Sequence, residues 1–357
     1  LFPIPNGVSY NSYFIDDEKT CVVDSVDAEI REEYFDNLTH LLNGRDLDYI
    51  VVNHMEPDHC QTLLETLERY PNCKMVGNAT TFRMFEQFYN TPKPDQYYTV
   101  KEGDEICLGK HTLVSYTMPM VHWPEVTCTY EKSTGTLFSA DAFGTFGTVN
   151  GNIFADQTDF VATYEEEARR YYTNIVGKYG SPVQKALQKL GGLPISAICS
   201  THGPVWTENI AKVVGIYDRL SRYDADEGVV IAYGSMYGNT EQMAEAIAAE
   251  LSAQGIRNIV MHNVTKSHPS YILADIFRYK GLIVGSPTYS NQIFPEVESL
   301  LSKILVRELK GRYLGYFGSF TWAGAAVKRM AEFAEKSKFE LVGDPVEMKQ
   351  AMQDITY

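Results

Sequence analysis

The run His54-Met55-Glu56-Pro57-Asp58-His59 constrains this chain more than any other stretch of it. It places four potential metal ligands within six residues. Apolar Tyr49–Val52 comes just before it, so the run reads as a loop at the C-terminal end of a strand. Pro57 stiffens that loop and helps to fix the ligand directions. Three later residues hold the same position relative to a strand: His122 follows Leu113–Val121, Asp141 follows Gly135–Ala140, and His202 follows Ile195–Thr201. Strand ends on one edge of a sheet converge, so these side chains are expected to meet. Singly, each has an ordinary explanation: a hydrogen-bonded loop histidine, a turn-forming aspartate, a solvated acidic loop. Four histidines and three carboxylates, each placed just after a strand, are not accounted for by packing.

The surroundings fit a folded, two-domain chain. Its 357 residues suit two domains of ordinary size, and 44% hydrophobic with 22% charged residues argue against disorder. From Gly7 to about Arg222, short strands such as Thr20–Val23, Thr112–Met118, Thr136–Phe138 and Ala197–Cys199 alternate with helical stretches such as Cys60–Tyr70 and Tyr164–Leu190. That mixture predicts sheets covered by helices. A net charge of -15 disfavours nonspecific binding to nucleic acid or anionic membranes. No apolar run is long enough to span a membrane, and no signal peptide is visible. The six cysteines form no C-x-x-C pair, which excludes a zinc knuckle or rubredoxin-type iron site. Their scatter points to the cytoplasm. The matches to the glycosylation sequon at Asn37 and Asn263 are then chance. Leu1 opens the chain without a methionine, inside what reads as strand material, and native sequence is expected beyond both ends.

Polar, acidic Tyr223–Gly228 reads as a linker, which divides the chain into 1–224 and 225–357. Beyond it the strand Val229–Tyr233, a helix from Thr240 to about Gln254, and strands Gly281–Val284 and Tyr313–Phe317 predict a doubly wound parallel sheet. Between the first strand and helix lies Ser235-Met236-Tyr237-Gly238-Asn239-Thr240. Hydroxyls, a glycine turn and a helix N-terminus make a phosphate cradle. It lacks the lysine of a Walker loop and the G-x-G-x-x-G of a dinucleotide site. Two further loops, Gly285–Tyr289 and Ser319–Gly324, follow strands at the edge where such sheets bind ligands.

The ligand series His54, Glu56, Asp58, His59, His122, Asp141 and His202 resembles the metallo-β-lactamase-like domain of the flavodiiron proteins. Zinc hydrolases of that superfamily usually have histidine where this chain has Glu56, and carboxylate there favours iron. The resemblance implies an αββα domain in which His54, Glu56 and His122 hold one iron. Asp58, His59 and His202 hold the other, and Asp141 bridges them. The second half resembles a flavodoxin binding FMN. By that resemblance Ser235, Tyr237, Asn239 and Thr240 contact the phosphate, and Pro287, Thr288, Tyr289 and Trp322 contact the flavin ring. Met236, Gly238, Ser286, Ser319, Thr321 and Ala323 belong to the same cofactor-binding loops. The last flavodoxin helix is expected over Met348–Asp354, cut short by the chain's end.

The family implied is one of cytoplasmic oxygen or nitric oxide reductases. A separate donor such as a rubredoxin or a reduced flavin carrier would supply electrons. Chains would pair head to tail as homodimers or tetramers. The alternative is a zinc-dependent hydrolase with an appended flavodoxin; Glu56 argues against it.

Overall fold

The computed structural model describes residues 2–352. Their contacts form two compact units. One is Ile4–Tyr172 with Ser181–Asp218; the other is Thr173–Gly180 with the chain from Arg219 onward and its first residues. No helix among the described residues is long and apolar enough to cross a membrane.

The first unit is a sandwich. One sheet has the order β1 (Tyr13–Ile15), β2 (Cys21–Val23), β3 (Tyr49–Val51), β4 (Lys74–Gly77) and β5 (Tyr97–Thr99), parallel apart from β1. The other comprises β6 (Glu105–Cys107), β7 (Thr112–Thr117), β8 (Thr127–Glu131), β9 (Thr136–Phe138), β10 (Ala197–Cys199) and β11 (Val205–Trp206), in sequential order across the sheet. Alternation along the strands builds two apolar layers. Cys21, Val23, Val51 and Val76 meet Leu113, Phe138 and Cys199 between the sheets. Val22, Ile50 and Met75 cluster instead with Phe35, Leu38, Leu67 and Phe85 of the covering helices. Each fully buried aliphatic contributes about 1.5–3 kcal/mol. β8 runs antiparallel to both β7 and β9, and β10 is parallel to β9. β7, β9 and β10 therefore all end on one edge.

In the second unit β12 (Asp226–Tyr233), β13 (Ile259–Asn263), β14 (Tyr279–Tyr289) and β16 (Tyr313–Phe320) make a parallel sheet in the order β13-β12-β14-β16. Short β15 (Gln292–Ile293) turns back on β14, while β17 (Glu340–Leu341) and β18 (Val346–Lys349) pair with β16. This is the doubly wound arrangement expected of a flavodoxin.

Local boundaries differ from the sequence reading for identifiable reasons. The chain start is irregular from Phe2 through Asn6, where Pro3 and Pro5 lack the N–H a ladder needs; Leu1 lies outside the described residues. The helix expected over Cys60–Tyr70 is two pieces. Pro57, pre-set for a first helical turn, starts Pro57–Cys60, and Leu63–Arg69 follows. The long helix over Tyr164–Leu190 breaks into wider-turned Val161–Glu165 and Tyr172–Val176 around Glu166–Tyr171, and Gly180–Leu190 follows. Gly177 and Gly180 interrupt it. The linker is shorter than expected because Asp226 already belongs to β12, its charge paired with Arg219 at 2.6 Å. Gly285–Tyr289 and Ser319–Phe320 are strand rather than loop, since β15 and β18 supply pairing partners there. The helix expected over Met348–Asp354 is not formed at Met348 and Lys349, which are in β18; the part from Gln353 lies outside the described residues.

Candidate metal centre and flavin cavity

The four ligand-bearing segments do converge. His54 follows β3, His122 lies between β7 and β8, Asp141 follows β9, and His202 follows β10. Glu56 caps the one-turn helix Pro57–Cys60, so helical geometry, not a free loop, aims Asp58 and His59. Two groups result: His54, Glu56, His122 and Asp141 in one, Asp58, His59 and His202 in the other. Within each group the ligand atoms lie within 4.8 Å of one another.

Asp141 faces both groups. Its Oδ2 is 3.0 Å from His122 Nε2 and 3.6 Å from His54 Nε2. Its Oδ1 is 2.8 Å from His59 Nε2 and 3.5 Å from His202 Nε2. Glu56 Oε2 completes the first group at 3.0 Å from His122 Nε2, and Asp58 Oδ2 the second at 3.3 Å from His202 Nε2. The His54 and His122 Nε2 atoms face each other at 3.3 Å. His59 Nδ1 and Asp58 Oδ1 are buried without a hydrogen-bond partner. Lone pairs pointed at a common centre and buried polar atoms left unpaired are what a cation resolves. The donor set, imidazole and carboxylate without thiolate, fits iron.

The protonation tendencies agree. Burial pushes the His122 imidazole down, but Asp141 and Glu56 more than offset it and raise it to about 9. His54 rises well above its ordinary value: burial opposes this, and its hydrogen bonds to Glu125 and Glu56 and the charge of Asp141 prevail. His202 rises against its own burial through Asp58 and Asp141. Burial would raise Glu56, yet its bonds to His122 and His54 lower it to about 2. Asp141 falls well below the carboxylate range although burial opposes this, chiefly through His59 and His122. The pocket demands positive charge, so protons compete there with metal.

Several groups that shape the centre were not anticipated from sequence. Glu125 Oε1 accepts from His54 Nδ1 at 2.7 Å and from the Met55 N–H at 2.9 Å. Thr201 Oγ1 donates to Asp141 Oδ1 at 2.8 Å. The Ser9 carbonyl accepts from His202 Nδ1 at 2.8 Å. Tyr10 and Tyr171 pack their rings against His202. An acid in the apolar loop right after His122 was the available signal for Glu125; Ser9 acts through its backbone and left none.

In the second unit a cavity of about 410 Å³ opens at the ends of β12, β14 and β16. Met236, Tyr237, Asn239, Thr240, Pro287, Thr288, Tyr289, Ser319, Thr321, Trp322 and Ala323 line it, joined by Ser290, Asn291, Phe320 and Gln350, which sequence did not single out. Three expected residues do not line it. Ser235 Oγ accepts the Gly238 N–H at 3.1 Å and so shapes the loop. Gly238 makes the turn into the helix Asn239–Ala253 with φ 88°, a conformation that favours glycine. Ser286 is fully buried, donating to the Pro287 carbonyl and accepting the Phe294 N–H. Thr240 and Ser319 hydroxyls meet at 2.9 Å beside the helix start. Glu241, the acid of that first turn, is held by Tyr233 OH at 2.7 Å. Trp322 and Tyr237 stand 88% and 86% exposed, which leaves aromatic faces free to stack on a planar ring. A helix N-terminus at one end and such faces at the rim fit FMN.

A lactamase-type sandwich carrying a two-centre ligand cluster, followed by a flavodoxin, defines a class of modular metal flavoproteins. Residues 8–203 match the family model described as ODP family beta lactamase, and residues 231–356 match the flavodoxin family. The anaerobic nitric oxide reductase flavorubredoxin of Vibrio vulnificus (strain YJ016) is 33% identical over 348 residues, 95% of this chain and 69% of that protein. Rubredoxin oxygen:oxidoreductase from the anaerobe Desulfovibrio gigas superposes with a TM-score of 0.94 at 30% identity, over 99% of this chain and 88% of that one. The flavodiiron protein from Giardia intestinalis gives 0.93 at 28%, over 99% and 87%. The chain belongs to the flavodiiron protein family.

Proposed function

We propose that this chain is an oxidoreductase that reduces dioxygen to water, nitric oxide to nitrous oxide, or both, at an iron pair served by FMN. The observation that carries the reading is Asp141, buried, with one oxygen turned to each ligand group. In this assignment His54, Glu56 and His122 would hold one iron, Asp58, His59 and His202 the other, and Asp141 would serve both. Glu56 separates it from a zinc hydrolase by making the site harder and more anionic. When bound, the ferrous pair supplies two electrons and an open position for a diatomic ligand, and reduced FMN supplies two more.

The chain's own residues hold and shield. His54, His59 and Asp141 are essentially inaccessible, whereas the Glu56 and Asp58 side chains are 34% and 26% exposed. Substrate and solvent protons approach from that side. Thr240 and the first-turn amides of its helix hold the FMN phosphate, and Trp322 and Tyr237 offer stacking faces to the ring.

We place the enzyme in the cytoplasm, in keeping with its unpaired cysteines, five of them buried. Its donor is a rubredoxin or a reduced flavin carrier. It works as a head-to-tail homodimer, in which the exposed aromatic rim of the flavin cavity is covered by a second copy. Elemental analysis with gas-uptake assays tests the reading. Two irons per chain and turnover with dioxygen or nitric oxide are expected. Full turnover with zinc as the main metal would overturn it.

A further inference from the structure

The two ligand groups are supported unequally. Behind His54 stands a carboxylate: Glu125 Oε1 is 2.7 Å from His54 Nδ1, and neither side chain has any exposed surface. The Met55 N–H also donates to that oxygen, while Glu125 Oε2 is buried with no partner. Behind His202 stands a neutral group, the Ser9 carbonyl at 2.8 Å. Asp141 is divided in the same sense. The Thr201 hydroxyl donates to Oδ1, which faces the His59 and His202 group, and draws charge from it. No hydroxyl donates to Oδ2 among the described residues.

A carboxylate behind an imidazole raises its basicity as a ligand, and a more basic ligand favours the higher oxidation state. Resting on the iron-pair reading above, we propose that Glu125 is a positioning residue. It makes the His54 position the stronger electron donor of the two, so the first electron enters at the His202 position. In that step reduced FMN would give up one electron and one ferric ion would become ferrous. No covalent bond is made or broken. The His54 position stays ferric until the second electron arrives.

Glu125→Gln isolates the effect. The amide oxygen keeps both hydrogen bonds, to His54 Nδ1 and to the Met55 N–H, and only the charge is removed. The holoprotein is titrated with redox mediators while the mixed-valence iron signal is followed by electron paramagnetic resonance. We expect the lower of the two iron couples to rise by the equivalent of about a tenfold change in ferric-to-ferrous preference, about 59 mV for one electron. The gap between the couples narrows, and the maximal mixed-valence signal falls. Thr201→Val is the complementary variant: restoring charge to Asp141 Oδ1 should lower the upper couple instead. If Glu125→Gln binds less iron, selective loss of one iron per chain supports the proposal, and equal loss of both overturns it. Unchanged couples in an iron-loaded variant, or movement of the upper couple alone, also overturn it. A wild-type protein that fails to load an iron pair would sink the metal reading itself, which is a separate outcome.

Discussion

The metal centre and the flavin cavity solve opposite problems. Iron needs a few lone pairs fixed in direction, so its candidate ligands come from four separate strand ends and most are buried. Three of them are braced from behind, His54 by Glu125, His202 by Ser9 and Asp141 by Thr201. A flavin needs a slot for a flat ring and a positive end for a phosphate. Its cavity is accordingly built from strand ends, a helix N-terminus and exposed aromatics such as Trp322. The first arrangement shares Asp141 between its two ligand groups, so losing that residue should cost both. The second spreads its contacts, so most single losses there should be graded.

Asp141→Ala is the sharpest test of that contrast, because both groups share this one residue. Both irons should be lost, and turnover should fall on the order of a thousandfold, more than the ten- to hundredfold cost of losing a supporting partner. Flavin absorbance should remain. Iron analysis and a visible spectrum decide it; a variant with normal iron breaks the bridging assignment.

Thr240→Asp is the counterpart in the other unit. Aspartate nearly matches threonine in shape and suits a helix N-terminus, so the helix should persist. Its charge repels the FMN phosphate by about 3 kcal/mol, on the order of a hundredfold in affinity. Flavin titration of the apoprotein measures the loss, with iron content unchanged. Equal affinity would remove Thr240 from the phosphate site.

The same contrast explains what was legible in the sequence. His54, Glu56, Asp58, His59, His122, Asp141 and His202 stood out because charged or imidazole side chains right after apolar strands are costly without a purpose. The flavin loops were legible through Gly238 and the hydroxyls around it. Glu125 and Thr201 stayed hidden because a supporting residue needs no fixed spacing from the ligand it braces. Ser286 stood out for its hydroxyl, which in the fold accepts the Phe294 N–H. Strand ends were misjudged at Tyr289 and Phe320, where short β15 and β18 extend the pairing. Those strands are two and four residues long, too short for a periodic pattern to show.

A single stacking residue should matter less than either anchor. Trp322→Ala removes an aromatic face from the rim and should weaken FMN binding by about 0.5–1.5 kcal/mol, roughly two- to tenfold. Fluorescence titration reads this directly. A hundredfold loss would mean that the ring, not the phosphate, anchors the flavin, and the graded picture would fail.

The smallest effect joins the two regions. Electrons must pass from flavin to iron, and the proposed head-to-tail dimer sends them from one chain to its partner. Asp141→Ala chains and chains carrying both Ser235→Asp and Thr240→Asp, each expected to be inactive alone, are co-expressed and allowed to pair at random. A mixed dimer then holds one intact FMN site and one intact iron site, on different chains. Half of the dimers are mixed, and each has one of its two couples working. If transfer crosses the interface, activity returns to about a quarter of wild type, a fourfold deficit against near-total loss in either parent. If transfer stays within a chain, every couple is broken and the mixture stays inactive. Native mass spectrometry of the same sample confirms that mixed dimers are present, so an inactive mixture containing them would rule out transfer between chains.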